Sequence, residues 1–154
     1  MRASSRTGLK MAFDAEPGVI APTGFWDPFG LANDIDEETF TKYRTAELKH
    51  GRVSMLAVTG LIAAQYARFP GGIGYDFDLK FDDIENGVTA LSQIPAFGWF
   101  QIGASIGWWE IYGWEQVEGS TPGDFGFNSY GTLPDDPEKV TAMKTKELQN
   151  GRIA

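Results

Sequence analysis

The sequence predicts an all-α membrane protein of three long helices, the third of them incomplete. Three observations point there. From Ile94 to Trp114 the chain runs 21 residues with one charge, Glu110, and about 20 apolar residues span a bilayer. The same stretch carries Gly98, Gly103, Gly107 and Gly113 with Ala104 and Ser105 among large aromatics, and small residues let helices approach closely in lipid. Finally, the stretch Glu38–Val53 recurs 100 positions later as Glu138–Ile153.

The first helix is expected over about 37–68. Asp36 and Glu37 favour a helix N-terminus, and no proline interrupts the chain from there to Phe69. Residues 37–52 are charged and Val53–Ala67 are not. The apolar half alone is short for a span, so it crosses a membrane only if Glu47, His50 and Arg52 also lie within it. The alternative is an amphipathic helix of a water-soluble bundle. Phe69-Pro-Gly-Gly ends this helix. Ile84, Val88 and Leu91, at i, i+4 and i+7, then predict a short amphipathic helix over about 82–92. Pro95 suits the first turn of a second long helix, about 95–116. In lipid, Trp108, Trp109, Tyr112 and Trp114 would form an interfacial belt; in a soluble core they would be packing. The third helix starts near 137 and is cut by the end of the chain at Ala154.

Composition excludes several chemistries. A chain of 154 residues makes about one domain, here 13–154. It has no cysteine, so neither disulfides nor thiolate metal sites are possible. A net charge of −8 argues against nucleic acid as a partner. Mean hydropathy is −0.24, an average that hides the two apolar stretches. Residues 1–12 hold three basic residues, two serines and no acid, as in the remnant of an organelle transit sequence or a disordered basic tail.

The repeat carries the chemistry. Seven of 16 aligned positions are identical, including Glu47-Leu-x-x-Gly-Arg52 and Glu147-Leu-x-x-Gly-Arg152. The turn-rich segments Trp26-Asp-Pro-Phe-Gly30 and Gly123-Asp-Phe-Gly126 precede the two copies. Two copies running the same way through a membrane are related by an axis along its normal. Within one helix Glu47 and Arg52 sit about 140° apart and cannot pair well, since helical neighbours are three or four apart. Side by side, Glu47 can reach Arg152 while Glu147 reaches Arg52, each fork neutralising one carboxylate. A carboxylate so paired keeps a lone pair, which suits the axial position of a chlorophyll magnesium, a hard cation. His50, three residues after Glu47, can offer an imidazole nitrogen, and Asn150 a carbonyl oxygen at the matching place. A lone histidine is more often a satisfied polar residue, and Glu/Arg runs are usually solvated faces; the duplication is what lifts these residues above that reading.

Glu47-Leu-Lys-His50-Gly-Arg52 and Glu147-Leu-Gln-Asn150-Gly-Arg152 resemble the first- and third-helix signatures of the light-harvesting chlorophyll-binding family. The Phe25-Trp-Asp-Pro-Phe-Gly-Leu31 segment and Pro95-Ala-Phe-Gly-Trp-Phe-Gln101 look most like its chlorophyll a/c branch, with fucoxanthin or peridinin as carotenoid. The resemblance implies three membrane helices, the first and third crossed and locked by the two Glu–Arg pairs. It also implies magnesium ligands at Glu47, His50, Glu147 and Asn150, with Gln101 and Glu110 as further ligands. Trp26, Asp27 and Pro28, and Gly123, Asp124 and Phe125, match regions that contact the two central carotenoids. Chlorophyll a, chlorophyll c and a carotenoid would be bound in the plastid thylakoid membrane among lipids and other antenna subunits. Excitation would pass to photosystem I or II, with no bond chemistry and no metal beyond pigment magnesium. The family's third helix continues past the equivalent of Ala154, so the chain resembles a C-terminally truncated member.

Two other functions fit parts of the pattern. Within the family, the same pigments can dissipate excitation as heat. Outside it, Glu47-x-x-His50 has the spacing of a ferritin-like di-iron oxidase, which needs a second Glu-x-x-His and two more inward glutamates; the repeat has Glu147-x-x-Asn150 instead. A structural three-helix membrane protein without pigment explains the charge pairs but not His50 and Asn150.

Overall fold

The computed structural model of the protein describes residues 16–32, 35–74, 77–117, 119–126, 134 and 136–154. The residues read as a transit remnant, 1–12, lie outside them. The elements are α1 (Glu37–Tyr66), β1 (Gly72–Gly74), β2 (Phe77–Lys80), a 3-10 turn (Phe81–Asp83), α2 (Ala90–Gln93), α3 (Ala96–Tyr112) and α4 (Pro137–Ile153). They fall in two compact units, one running to Met55 and resuming at Gln116, the other Leu56–Glu115.

In the first unit the repeat is visible in the backbone. The first helical bonds of α1 and α4 run from Phe40 N to the Asp36 carbonyl at 3.0 Å and from Val140 N to the Asp136 carbonyl at 3.1 Å. Asp136 also caps α4, its carboxylate accepting from Glu138 N at 3.1 Å, with Pro137 in the first turn where a missing N–H costs nothing. The Thr39 hydroxyl and the adjoining backbone hold the Asp36 carboxyl below its ordinary range. Leu48 on α1 and Leu148 on α4 are the buried apolar side chains among the described residues, each adding roughly 1.5–3 kcal/mol. With so small an apolar core, the polar contacts at the crossing set which residues of α1 and α4 face each other rather than adding much energy, because both ion pairs are partly exposed.

The second unit departs from the expected helices at three places. α1 ends at Tyr66, and the Arg68 guanidinium then donates to the carbonyls of Phe81, Asp82 and Ile84 at 3.2, 2.8 and 2.5 Å. Those bonds hold a turn against the small antiparallel ladder of β1 and β2, in which Gly72 faces Lys80 and Gly74 faces Phe77. An all-α reading has no place for this ladder; the glycine-rich run after Pro70 resists helix and leaves the backbone extended. The helix expected over 82–92 is instead a 3-10 turn and the single turn α2, because Gly87 takes φ +89 between them. Asn86 there donates to the Leu61 carbonyl at 2.7 Å, tying this loop to α1. α3 stops at Tyr112, short of 116, where the N–H groups of Gly113 and Trp114 both reach the Trp109 carbonyl.

Among the described residues no helix is long and apolar enough to cross a membrane. α3 is apolar but has 17 residues, about 26 Å against a core of about 30 Å. α1 has 30 residues but is charged through its first half.

Candidate functional site at the crossing of α1 and α4

α1 and α4 cross at Gly51 and Gly151. A β-carbon on Gly51 would lie 3.1 Å from the Gly151 Cα, and one on Gly151 only 2.9 Å from the Gly51 Cα. Only glycine permits this approach, and it brings the charged residues of both copies within reach. Arg52 Nε donates to Glu147 Oε1 at 2.5 Å, and Arg152 Nε donates to Glu47 Oε1 at 2.8 Å.

Each arginine has a second partner. Arg52 Nη1 donates to the Gly123 carbonyl at 2.8 Å, and Arg152 Nη1 to the Gly18 carbonyl at 3.0 Å. Both glycines are buried with positive φ, +78 at Gly123 and +94 at Gly18. Leu48 packs on Gly123 and Leu148 on Gly18, where an added β-carbon would meet their methyls at 2.6 and 2.9 Å. The approximate two-fold therefore extends beyond the helices into the preceding loops, through Pro17-Gly18 and Pro122-Gly123.

That corrects the loop alignment drawn from sequence. The counterpart of Gly123 is Gly18, not a residue of Trp26–Gly30. Gly18 lies 29 residues before Glu47 and Gly123 lies 24 before Glu147, so a fixed offset of 100 passes over the match. The Pro-Gly dipeptide in each loop was the available signal. Trp26–Gly30 forms its own turn, in which the Asp27 carboxylate accepts from Leu31 N and Ala32 N at 2.9 and 2.8 Å. Trp26 and Pro28 are exposed. Phe125 lies by the charge pair, its ring 5.5 Å from the Arg52 guanidinium and 5.7 Å from the Lys49 ammonium. Asp124 shapes that loop, accepting from Gly126 N at 3.0 Å.

His50 is exposed on α1, and its Nδ1 lies 2.8 Å from the Ala46 carbonyl. A carbonyl only accepts, so Nδ1 carries a proton, and in the neutral imidazole this leaves the Nε2 lone pair available to a ligand. This is how a backbone carbonyl orients an imidazole ligand. Asn150 is exposed at the equivalent place on α4. Gln101 and Glu110 belong to the second unit; nine residues apart on α3, they project on roughly opposite sides. Gln101 is exposed and Glu110 half-buried. The inward cluster a di-iron oxidase requires does not form: among the described residues no three histidine or carboxylate groups come together as a metal site.

A family profile described as Chlorophyll A-B binding protein matches residues 13–154. The chain belongs to that family. Its relatives within the family include fucoxanthin-chlorophyll a-c binding protein A, chloroplastic, of Macrocystis pyrifera, 46% identical over 99% of this chain and 72% of the relative. Protein D of the same organism is 45% identical over 95% of this chain and 82% of its own length. Protein B of Phaeodactylum tricornutum is 42% identical over 99% of this chain and 78% of its own.

The donor set of this chlorophyll-binding family member suits magnesium held in a pigment ring. Among the described residues, Glu147 accepts through Oε1 and has no donor on Oε2, and His50 presents Nε2. Carboxylate and carbonyl oxygens are the ligands a hard divalent cation takes, and an imidazole nitrogen could join the nitrogens that already surround a metal held in a pigment ring. Glu147 and His50 would hold the pigment's magnesium through these atoms.

Proposed function

We infer that this chain binds chlorophyll and carotenoid and serves as a light-harvesting antenna of the chloroplast. It is not an enzyme. The observation that carries the reading is the doubled Glu–Arg crossing, which holds each carboxylate by the arginine of the other copy, with His50 exposed beside it and its Nδ1 on the Ala46 carbonyl, in a chain of the chlorophyll-binding family. Chlorophyll a and c and a fucoxanthin-type carotenoid are its pigments, as in the names of its relatives. Bound chlorophyll supplies light absorption and excitation transfer; the polypeptide supplies spacing and orientation.

Glu47, His50, Glu147 and Asn150 ligate magnesium from the crossing, and Gln101 and Glu110 from α3. Trp26–Pro28 and Gly123–Phe125 contact carotenoid. The long helices lie in the thylakoid membrane, in contact with lipid and neighbouring antenna subunits, and pass excitation to photosystem I or II. Support for the membrane comes from exposed apolar side chains on α1 (Leu56, Leu61, Ile62) and α3 (Phe100, Ile106, Ile111). A surface of that kind is covered by lipid, pigment or protein. A helix a few ångströms short is accommodated by local thinning.

The test is the visible absorption spectrum, extracted pigments and magnesium content of the protein purified gently from its source membranes. Chlorophyll a in the red, magnesium and a blue-green carotenoid band are expected. A colourless protein, or one carrying iron without chlorophyll, refutes the reading.

A further inference from the structure

The two halves of the crossing are not chemically equal, and Arg44 is the reason. Arg44 lies three residues before Glu47, and its Nη1 donates to Glu47 Oε2 at 2.7 Å. Arg152 already holds Oε1, so both oxygens of Glu47 carry a guanidinium. The residue at the same place in the second copy is Lys144, whose Nζ turns instead to the Thr121 hydroxyl at 2.9 Å. Glu147 therefore answers to one guanidinium and keeps Oε2 without a donor among the described residues.

Nor is Arg44 a surface arginine in passing contact. It is 9% exposed, its guanidinium lies 5.3 Å from the Phe40 ring, and its shielded Nε has no hydrogen-bond partner. A donor left desolvated is costly, so the contacts to Glu47 and Phe40 must hold the side chain in place. A hydrogen bond donated to a ligand oxygen draws away the electron density that a hard cation seeks, as partners behind a ligand tune the metal it holds.

We propose that Arg44 sets the strength of the Glu47 site, making Glu47 the weaker of the two carboxylate ligands and its chlorophyll the first released. This rests on the reading of Glu47 and Glu147 as residues that hold chlorophyll magnesium. A charge-assisted hydrogen bond at the low end of its range corresponds to roughly a tenfold change in an equilibrium, and that is the expected scale.

The test uses the whole polypeptide reconstituted with chlorophyll and carotenoid, then diluted into excess detergent while pigment release is followed by absorption. Glu47→Gln and Glu147→Gln assign the two kinetic phases. In the unaltered protein the Glu47 phase is expected to be the faster. Arg44→Met, which keeps the apolar stem, should slow that phase about tenfold and leave the Glu147 phase alone. Lys144→Arg should accelerate the Glu147 phase, and it decides the matter if Arg44→Met does not fold. A purely structural Arg44 would lower the melting temperature and leave both phases unmoved. That outcome, with each Glu→Gln change still removing one chlorophyll, overturns the inference alone. Glu→Gln changes that remove no chlorophyll overturn the ligand reading beneath it.

Discussion

Consider Gly151→Ala. On a solvent-facing helix position this change gains about 1 kcal/mol, since alanine is the better helix former. Here the new methyl would sit 2.9 Å from the Gly51 Cα and 3.4 Å from its carbonyl carbon, where carbons rest at about 3.5–4.0 Å. Both near atoms are backbone, so no rotamer change relieves the clash and the helices must part by roughly 0.6–1 Å. Overpacking of that kind costs about 1–3 kcal/mol. The same separation stretches the bonds of 2.5 and 2.8 Å that flank the crossing. Their partners are between 31% and 42% exposed, so each loses no more than about 0.2–1 kcal/mol. Repulsion wins over propensity, for a net loss of about 1–3 kcal/mol. At roughly 2–4 °C per kcal/mol the reconstituted protein should melt several degrees lower. Gly60→Ala, also in a helix but with nothing within 4 Å of the added methyl, should hold or gain stability. If Gly151→Ala melts at or above the unaltered protein, the close crossing is not what joins α1 to α4.

Three further outcomes follow from the same geometry. Arg52→Leu strands Glu147 and removes the donor to the Gly123 carbonyl; because the pair is partly exposed, the loss should be about 1–2 kcal/mol rather than that of a buried pair, measured as a lowered denaturation midpoint. His50→Leu keeps both charge pairs and should lower that midpoint by less, through loss of a bound pigment alone, so equal, mild effects from the two changes contradict the paired-charge reading. Gly18→Ala and Gly123→Ala combine a left-handed backbone with a collision against Leu148 or Leu48, costing about 2 kcal/mol or more. Gly119→Ala, at φ +74 in open space, should cost only the conformational part, and melting of the three variants separates the terms. The depressed Asp36 carboxyl contributes stability above its ordinary range and loses it as pH falls through the lowered value. The difference in melting temperature between the unaltered protein and Asp36→Ala should therefore shrink on acidification.

The sequence exposed the crossing because one offset relates helix starts, glutamates, glycines and arginines alike. Gly18 escaped because its loop is five residues longer than that of Gly123, and an insertion hides a repeat from a fixed offset. Arg44 escaped for another reason: on paper it is one more charge on a charged helix face. Only packing shows that Phe40 and Glu47 hold it while Lys144 turns away. The pattern Ile84, Val88, Leu91 has helical spacing, yet Gly87 reverses the backbone inside it. Spacing records which side chains could share a face, and a single positive φ decides whether they do. The ladder of β1 and β2 has too few residues to show any alternation, and the 3-10 turn that follows it is held by Arg68 from outside the pairing.

The most direct measurement is the chlorophyll-to-polypeptide ratio of the reconstituted His50→Leu/Asn150→Leu variant against the unaltered protein, with helix content followed by circular dichroism. Two fewer chlorophylls per polypeptide are expected, one from each copy of the motif, at unchanged helix content. An unchanged ratio would contradict it, and the doubled motif would then be a structural clasp that holds no pigment at these positions.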